Sequence, residues 1–297
     1  MKVFRQHTLR VSDFSQVPFW RKAHPLDLAY VCYGLVVVLM VFGSYLSGAS
    51  GWLPYDPQAI DMDLLNAPPN TQGHLLGTDF MGRDILSRLI LAIQAYFLPG
   101  LLAVAIALTL GSVCGLASGY WGGRWDTMVT YMANLVDSFP RLVLILLMIA
   151  AFKPDIYLIM AVVGITHVPA VTALIKSKVT FLKQQNFIEA AVALGLRNRS
   201  IIIKHILWHN CRTLLIIQAT LGMAEAILIE TSLSYLGFGV QEPIPSWGNM
   251  VQSGANYFLQ GLFWPSTAPA LAIGFTILGF HLLGDGLNNI LERKQRR

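Results

Sequence analysis

Residues 89–123 read LILAIQAYFLPGLLAVAIALTLGSVCGLASGYWGG and hold no charged side chain. A helix needs about 20 apolar residues to cross the hydrocarbon core of a bilayer. Backbone groups in lipid must find their hydrogen bonds inside the segment, and a helix supplies them. This stretch therefore reads as a membrane helix, and the fold class it implies is all-α.

The rest of the chain follows the same pattern. Charge-poor apolar runs recur at about 28–47, 127–152, 156–175, 211–236 and 263–284, which with 89–123 predicts six transmembrane helices. The run at 127–152 is the least regular, because it contains Asp137, Pro140 and Arg141. Across the 297 residues 55% are hydrophobic and only 12% charged. Mean hydropathy is +0.56. A water-soluble fold of this length could not hide so much apolar surface. The chain reads as a polytopic membrane protein.

The charges that remain are sorted by segment. Segment 176–212 carries Lys176, Lys178, Lys183, Arg197, Arg199, Lys204 and Arg212 against Glu189. The N-terminus holds Lys2, Arg5, Arg10, Arg21 and Lys22, and the chain ends in ERKQRR. Segment 48–88 is acidic, with Asp56, Asp61, Asp63, Asp79 and Asp84 against Arg83 and Arg88, and 237–262 holds only Glu242. Six spans put both termini and 176–210 on one side, and their basic character predicts that this side is cytoplasmic. The net charge of +5 is thus assigned to inner loops rather than to nucleic acid. The first apolar run follows a long basic segment and lacks a small-residue cleavage site, so it reads as an uncleaved span.

No catalytic constellation emerges. There is no G-x-x-x-x-G-K-[ST] loop to cradle phosphates and no H-E-x-x-H zinc motif. Cys32, Cys114 and Cys211 form no CxxC pair, and the seven histidines lack ligand spacing. The intramembrane charges are the pathway candidates. Glu225 and Glu230 lie five residues apart, roughly 140° around a helix, and should face different neighbours. Asp137 and Arg141, four apart, could pair on one face, either as a local salt bridge or as part of a polar path.

The stretch NFIEAAVALGLRNRS (186–200) is wet, basic and rich in small residues. A short helix is predicted at about 184–194, with Gly195 as its stop. Asn198 or Ser200 could cap a second helix running IIIKHIL. Such a helix–turn–helix could lie on the bilayer surface or dock a soluble partner.

This stretch resembles the EAA loop of permease subunits of ABC importers. The family pattern is E-A-A, three residues, G, nine residues, an apolar position, any residue, then L-P. Here it reads Glu189, Ala190, Ala191, Gly195, His205 and Leu207, with Trp208 in the place of the proline. HLLGTDFMGRDILSRLI (74–90) resembles the GTDxxGRDxxSR hallmark of the dipeptide/oligopeptide/nickel type "C" subunits. SGYWGGRWD (118–126), DSFPRLVLIL (137–146), IETSLSYLGFGVQEPIPSWGNM (229–250) and HLLGDGLNN (281–289) look like the same branch.

The resemblance implies a type I ABC importer permease fold in a bacterial inner membrane. It divides the chain into a cytoplasmic segment 1–25, a first helix and outer loop over 26–90, a transport core over 91–290 containing the 176–210 loop, and a tail over 291–297. The implied partners are a second homologous permease, two cytoplasmic ATPases, an extracytoplasmic solute-binding protein and membrane lipid. No cofactor is expected on this chain, since ATP and Mg would sit on the ATPases. Glu189, Ala190, Ala191, Gly195, His205 and Leu207 would couple to those ATPases. Gly77, Thr78, Asp79, Gly82, Arg83 and Asp84 would form an outer structural element bracing the second span. The implied cargo is di- or oligopeptide, with nickel or other metal chelates or antimicrobial peptides as alternatives. A different class, an ion-coupled secondary transporter using Glu225 and Glu230, would not need the EAA loop.

Overall fold

The computed structural model describes residues 25–152 and 155–295. The expected basic segment 1–25 lies, apart from Pro25, outside the described residues, as do the side chains of the 291–297 tail.

The first crossing is α1 (Pro25–Ser50). A long loop with one 3-10 turn, Met62–Leu64, leads to α2 (Ile85–Ala92). A second 3-10 turn, Ile93–Ala95, joins α2 to α3 (Phe97–Trp121), and the three together form the next crossing. Then come α4 (Gly123–Asp137), α5 (Arg141–Ala151) and α6 (Ile156–Lys183). A short α7 (Asn186–Ala193) precedes one continuous rod built from α8 (Asn198–Ser200), a π-helical segment Ile201–Cys211, and α9 (Arg212–Tyr235). The fold closes with α10 (Trp247–Phe258) and α11 (Trp264–Gln295).

Among the described residues, five helices are long and apolar enough to cross a membrane. The sixth expected crossing, 127–152, is not one helix. It is the pair α4 and α5, bent by 78°. The break falls at Ser138–Pro140, where proline lacks an amide proton and disfavours helix in the residue before it.

Small residues set the closest packing. Gly111, Gly115 and Gly119 on α3 face Val171, Ile175 and Val179 on α6. The matched order makes these two helices parallel. A Cβ at any of the three glycines would overlap the α6 side chain opposite, so this spacing lets the helix backbones approach as small-xxx-small seams do in membranes. On its other side α3 meets α9 in the opposite sense, with Gly100 beside Met223 and Ala226, and Gly222 beside Val104. A second seam pairs α1 with α11 through Gly34, Gly279 and Gly286.

The two ends of this bundle differ. The loop end gathers residues 51–84, the α9–α10 connection and the start of α6. The hairpin end carries α7. The pair α4–α5 is weakly attached between them: α4 has no buried residue and α5 buries only Ile145.

Candidate functional site

At the loop end, residues 77–84 build a knot of charge. Asp79 accepts from the backbone amides of Met81 (2.8 Å) and Arg83 (3.0 Å) and from Arg83 Nε (2.7 Å). Asp84 caps α2 by accepting from the Ser87 amide at 2.7 Å, which suits the positive end of a helix dipole. Its other oxygen lies 2.9 Å from His74 Nδ1. Thr78 donates its hydroxyl to the Leu64 carbonyl and accepts from the Ala67 amide at 2.8 Å. Gly77 and Gly82 have φ of 77° and 76°. Their missing Cβ atoms leave room for the backbone of Ala67–Pro68 and of Asp61.

Sequence reasoning missed two members of this knot. Glu242, in the α9–α10 connection, binds Arg83 Nη1 at 2.8 Å and Arg88 Nη2 at 2.9 Å. Arg88 is only 1% exposed and also reaches the Pro57 carbonyl at 3.3 Å. The signal was present: Glu242 is the lone acid of 237–262, and Arg83 and Arg88 are the two bases of 48–88. Below them, Ser246 and Asn249 form a capping box on α10, and Trp247 Nε1 donates to the Leu89 carbonyl at 3.0 Å.

At the hairpin end, α7 is closed by a Schellman motif. The Gly195 amide donates to Val192 O (2.9 Å) and the Leu196 amide to Ala191 O (3.1 Å). Gly195 takes φ of 77°, as the left-handed position requires. Ile188 and Ala191 are buried among Leu116, Tyr120, Val179, Leu182 and Ile201. Glu189, Ala190, Val192 and Leu194 point away, Leu194 being 82% exposed. Lys183 Nζ donates to the Tyr120 carbonyl (2.7 Å), and Tyr120 Oη donates to Asn198 Oδ1 (3.0 Å). These bonds tie the hairpin to the end of α3. A groove of about 430 Å³ between Tyr120, Lys183, Ile188, Glu189 and Val192 runs beside α7. Among the described residues Glu189 forms no ion pair. His205 and His209 stack at 6.2 Å, and Leu207 packs against the same core as Ile188.

Between the ends lies a third group. Arg141, the first residue of α5, forms an ion pair with Glu225 of α9. His167 Nδ1 of α6 sits 2.6 Å from the other oxygen of Glu225. Glu230 is fully buried and accepts from Ser234 Oγ at 2.6 Å.

Residues 107–297 match the family described as binding-protein-dependent transport system inner membrane component. The chain belongs to this family. Over 92% of the permease and 89% of the relative, it is 35% identical to the probable D,D-dipeptide transport system permease protein DdpC of Escherichia coli (strain K12). It is 37% identical to the dipeptide transport system permease protein DppC of Alkalihalophilus pseudofirmus, over 75% and 73% of the two chains. It is 34% identical to the glutathione transport system permease protein GsiD of Escherichia coli O157:H7, over 93% and 89%. The permease is thus a multi-pass inner-membrane component of an ABC-type import system.

Three sequence-based expectations change with the geometry. Asp137 does not pair with Arg141: the 78° bend between them destroys the i,i+4 face, leaving Asp137 exposed and Arg141 on Glu225. Neither Asn198 nor Ser200 caps the second helix. Arg197 occupies the cap without a side-chain bond, and the Asn198 carboxamide oxygen accepts from Tyr120 instead. Ala191 is not offered for contact from outside; it packs inward. At Trp208, which stands in the place of the family proline and is 66% exposed, the helix continues as π turns into α9.

Proposed function

We propose that the permease forms, with a second homologous permease, the membrane pathway of an ATP-driven importer of short peptides, and that α7 receives the motion of two cytoplasmic ATPases. The carrying observation is the split character of α7. One face, Ile188 and Ala191, is fixed in the permease core, while Glu189, Ala190, Val192 and Leu194 are uncovered. An element held this way transmits force: what pushes the outer face moves the core. Tyr120, Lys183 and Asn198 then pass displacement to α3, α6 and the rod ending in α9.

In this reading the hairpin end and both termini face the cytoplasm, which the excess of Lys and Arg there supports. An extracytoplasmic binding protein delivers cargo at the loop end. ATP is held by the ATPases, and the permease contributes the contact, the path and the alternation of its two openings. Short peptides are the cargo named for relatives that cover nearly the whole permease.

Uptake of labelled di- and tripeptides is the test. Cells lacking this subunit should lose uptake, and restoring the gene should return it. Unchanged uptake in its absence would end the peptide reading. Loss of nickel-chelate uptake instead would redirect it to metal chelates.

A further inference from the structure

A guanidinium and a carboxylate are set in the middle of the membrane, and the bundle does not cover them. His167 lies about 17 Å along α6 from Ile156, and Glu225 about 15 Å along α9 from Tyr235, at 1.5 Å per residue. Both helices reach the loop end at those residues, so the two side chains share one depth. Arg141 joins them because α4 and α5 break there. Side-chain exposure is 39% for Arg141, 24% for Glu225 and 13% for His167. Charges left open to lipid at this depth are costly and rare; in membrane proteins they pair with one another, face the bundle interior or a water-filled cavity, and mark substrate paths. The neighbouring α4 and α5 bury almost nothing in their own chain, so the permease's own bundle leaves this face open. Sites near the midplane at a broken helix are a recurring transporter arrangement.

We propose that Arg141 and Glu225 form a subsite that holds the two charged ends of a zwitterionic peptide in transit. The Arg141 fork matches the terminal carboxylate in a bidentate manner. Glu225 accepts from the terminal ammonium, with the His167 ring beside its second carboxylate oxygen. Without cargo the two side chains satisfy each other, as observed. A dipeptide, about 7 Å long when extended, enters between them, and the α4–α5 break gives Arg141 a hinge on which to move. The assignment rests on the peptide reading above.

The test uses the complete transporter, with binding protein and ATPases, in proteoliposomes. Saturating uptake of a free dipeptide, its N-acetylated form and its C-amidated form is measured for wild type, Glu225→Gln and Arg141→Gln. Each rate is divided by the wild-type rate for the same peptide. Glu225→Gln should lower uptake of the free and amidated forms about tenfold and spare the acetylated one. Arg141→Gln should lower the free and acetylated forms and spare the amidated one. Equal slowing of all three by either variant would mean a structural pair only and would overturn the subsite. Glu225→Asp keeps the charge and should retain most uptake of the free dipeptide, whereas Arg141→Lys keeps the charge but not the fork and should fall between wild type and Arg141→Gln. Losses as deep as in the glutamine variants would overturn the proposal even if capped peptides are not carried or a glutamine variant fails to assemble. Wild type that carries no peptide at all would instead sink the peptide reading, and the subsite with it.

Discussion

Glycine does opposite work at the two ends of this permease. At the loop end Gly77 and Gly82 are pressed against backbone, and a Cβ at Gly82 would land on the Asp61 carbonyl. At the hairpin end Gly195 adopts the same positive φ with nothing within 4 Å of its missing Cβ. Charge divides in the same way. Asp79, Arg83, Arg88 and Glu242 satisfy one another within the chain, whereas Glu189 finds no opposite charge among the described residues. One end is complete in itself. The other has the form of half a contact.

The largest effect should come from opening the complete end. Asp79 is 10% exposed and faces two buried guanidinium groups. Asp79→Ala removes the acid nearest Arg83 and the second acid beside Arg88, and also the acceptor of two backbone amides. Breaking a buried pair from one side costs roughly 3–5 kcal/mol. The detergent-solubilised variant should melt well below wild type, and its abundance in membranes should fall. An unchanged melting curve would show that the loop end is not locked by these charges.

The comparison sharpens at the glycines. Gly82→Ala forces a Cβ into backbone at a left-handed position, and strained positions of that kind cost on the order of 1–3 kcal/mol before any overlap is counted. Gly195→Ala meets open space and should cost only about 1–2 kcal/mol of backbone strain. Gly195→Asp should melt close to Gly195→Ala, yet co-purify with much less ATPase, since bulk and charge then stand where a partner must come close. Equal ATPase recovery for wild type and Gly195→Asp would remove the hairpin end from the coupling path.

How much of this was legible in the sequence depends on the range of the cause. The charge-free runs disclosed the crossings because lipid acts on each segment separately. Gly195 as the stop of α7 was readable for the same reason: a helix end is a local event. Pro140 was visible too, but treating 127–152 as one helix put Asp137 and Arg141 on a common face that the 78° bend abolishes. The partners of Arg83 and Arg88 were not readable, since Glu242 lies 159 and 154 residues away and only the packed bundle brings it near. His167 was passed over because a single histidine in an apolar run has no pattern. Its role appears only when α5 and α9 converge on it. The π turns of 201–211, with Ile201 and Ile206 buried, have no local pattern in the sequence that announces them.

The smallest effect should fall on the tie that holds the incomplete end to the bundle. Tyr120→Phe deletes the hydroxyl that donates to Asn198 while keeping the ring under the Lys183 ammonium. One such hydrogen bond is worth about 0.5–1.5 kcal/mol, too little to change assembly or overall melting. Its loss should be local, because Tyr120 ends α3 and Asn198 begins the rod that leads into α9. Hydrogen exchange should quicken in α7 and at 198–200 and stay unchanged around Asp79 and Arg88. If the tie also carries motion, peptide uptake should fall more than ATP hydrolysis, since the ATPases would still turn over while pushing on a slacker hairpin. Exchange that rises equally at both ends would show that the two ends are not mechanically separate, and the contrast between them would lose its meaning.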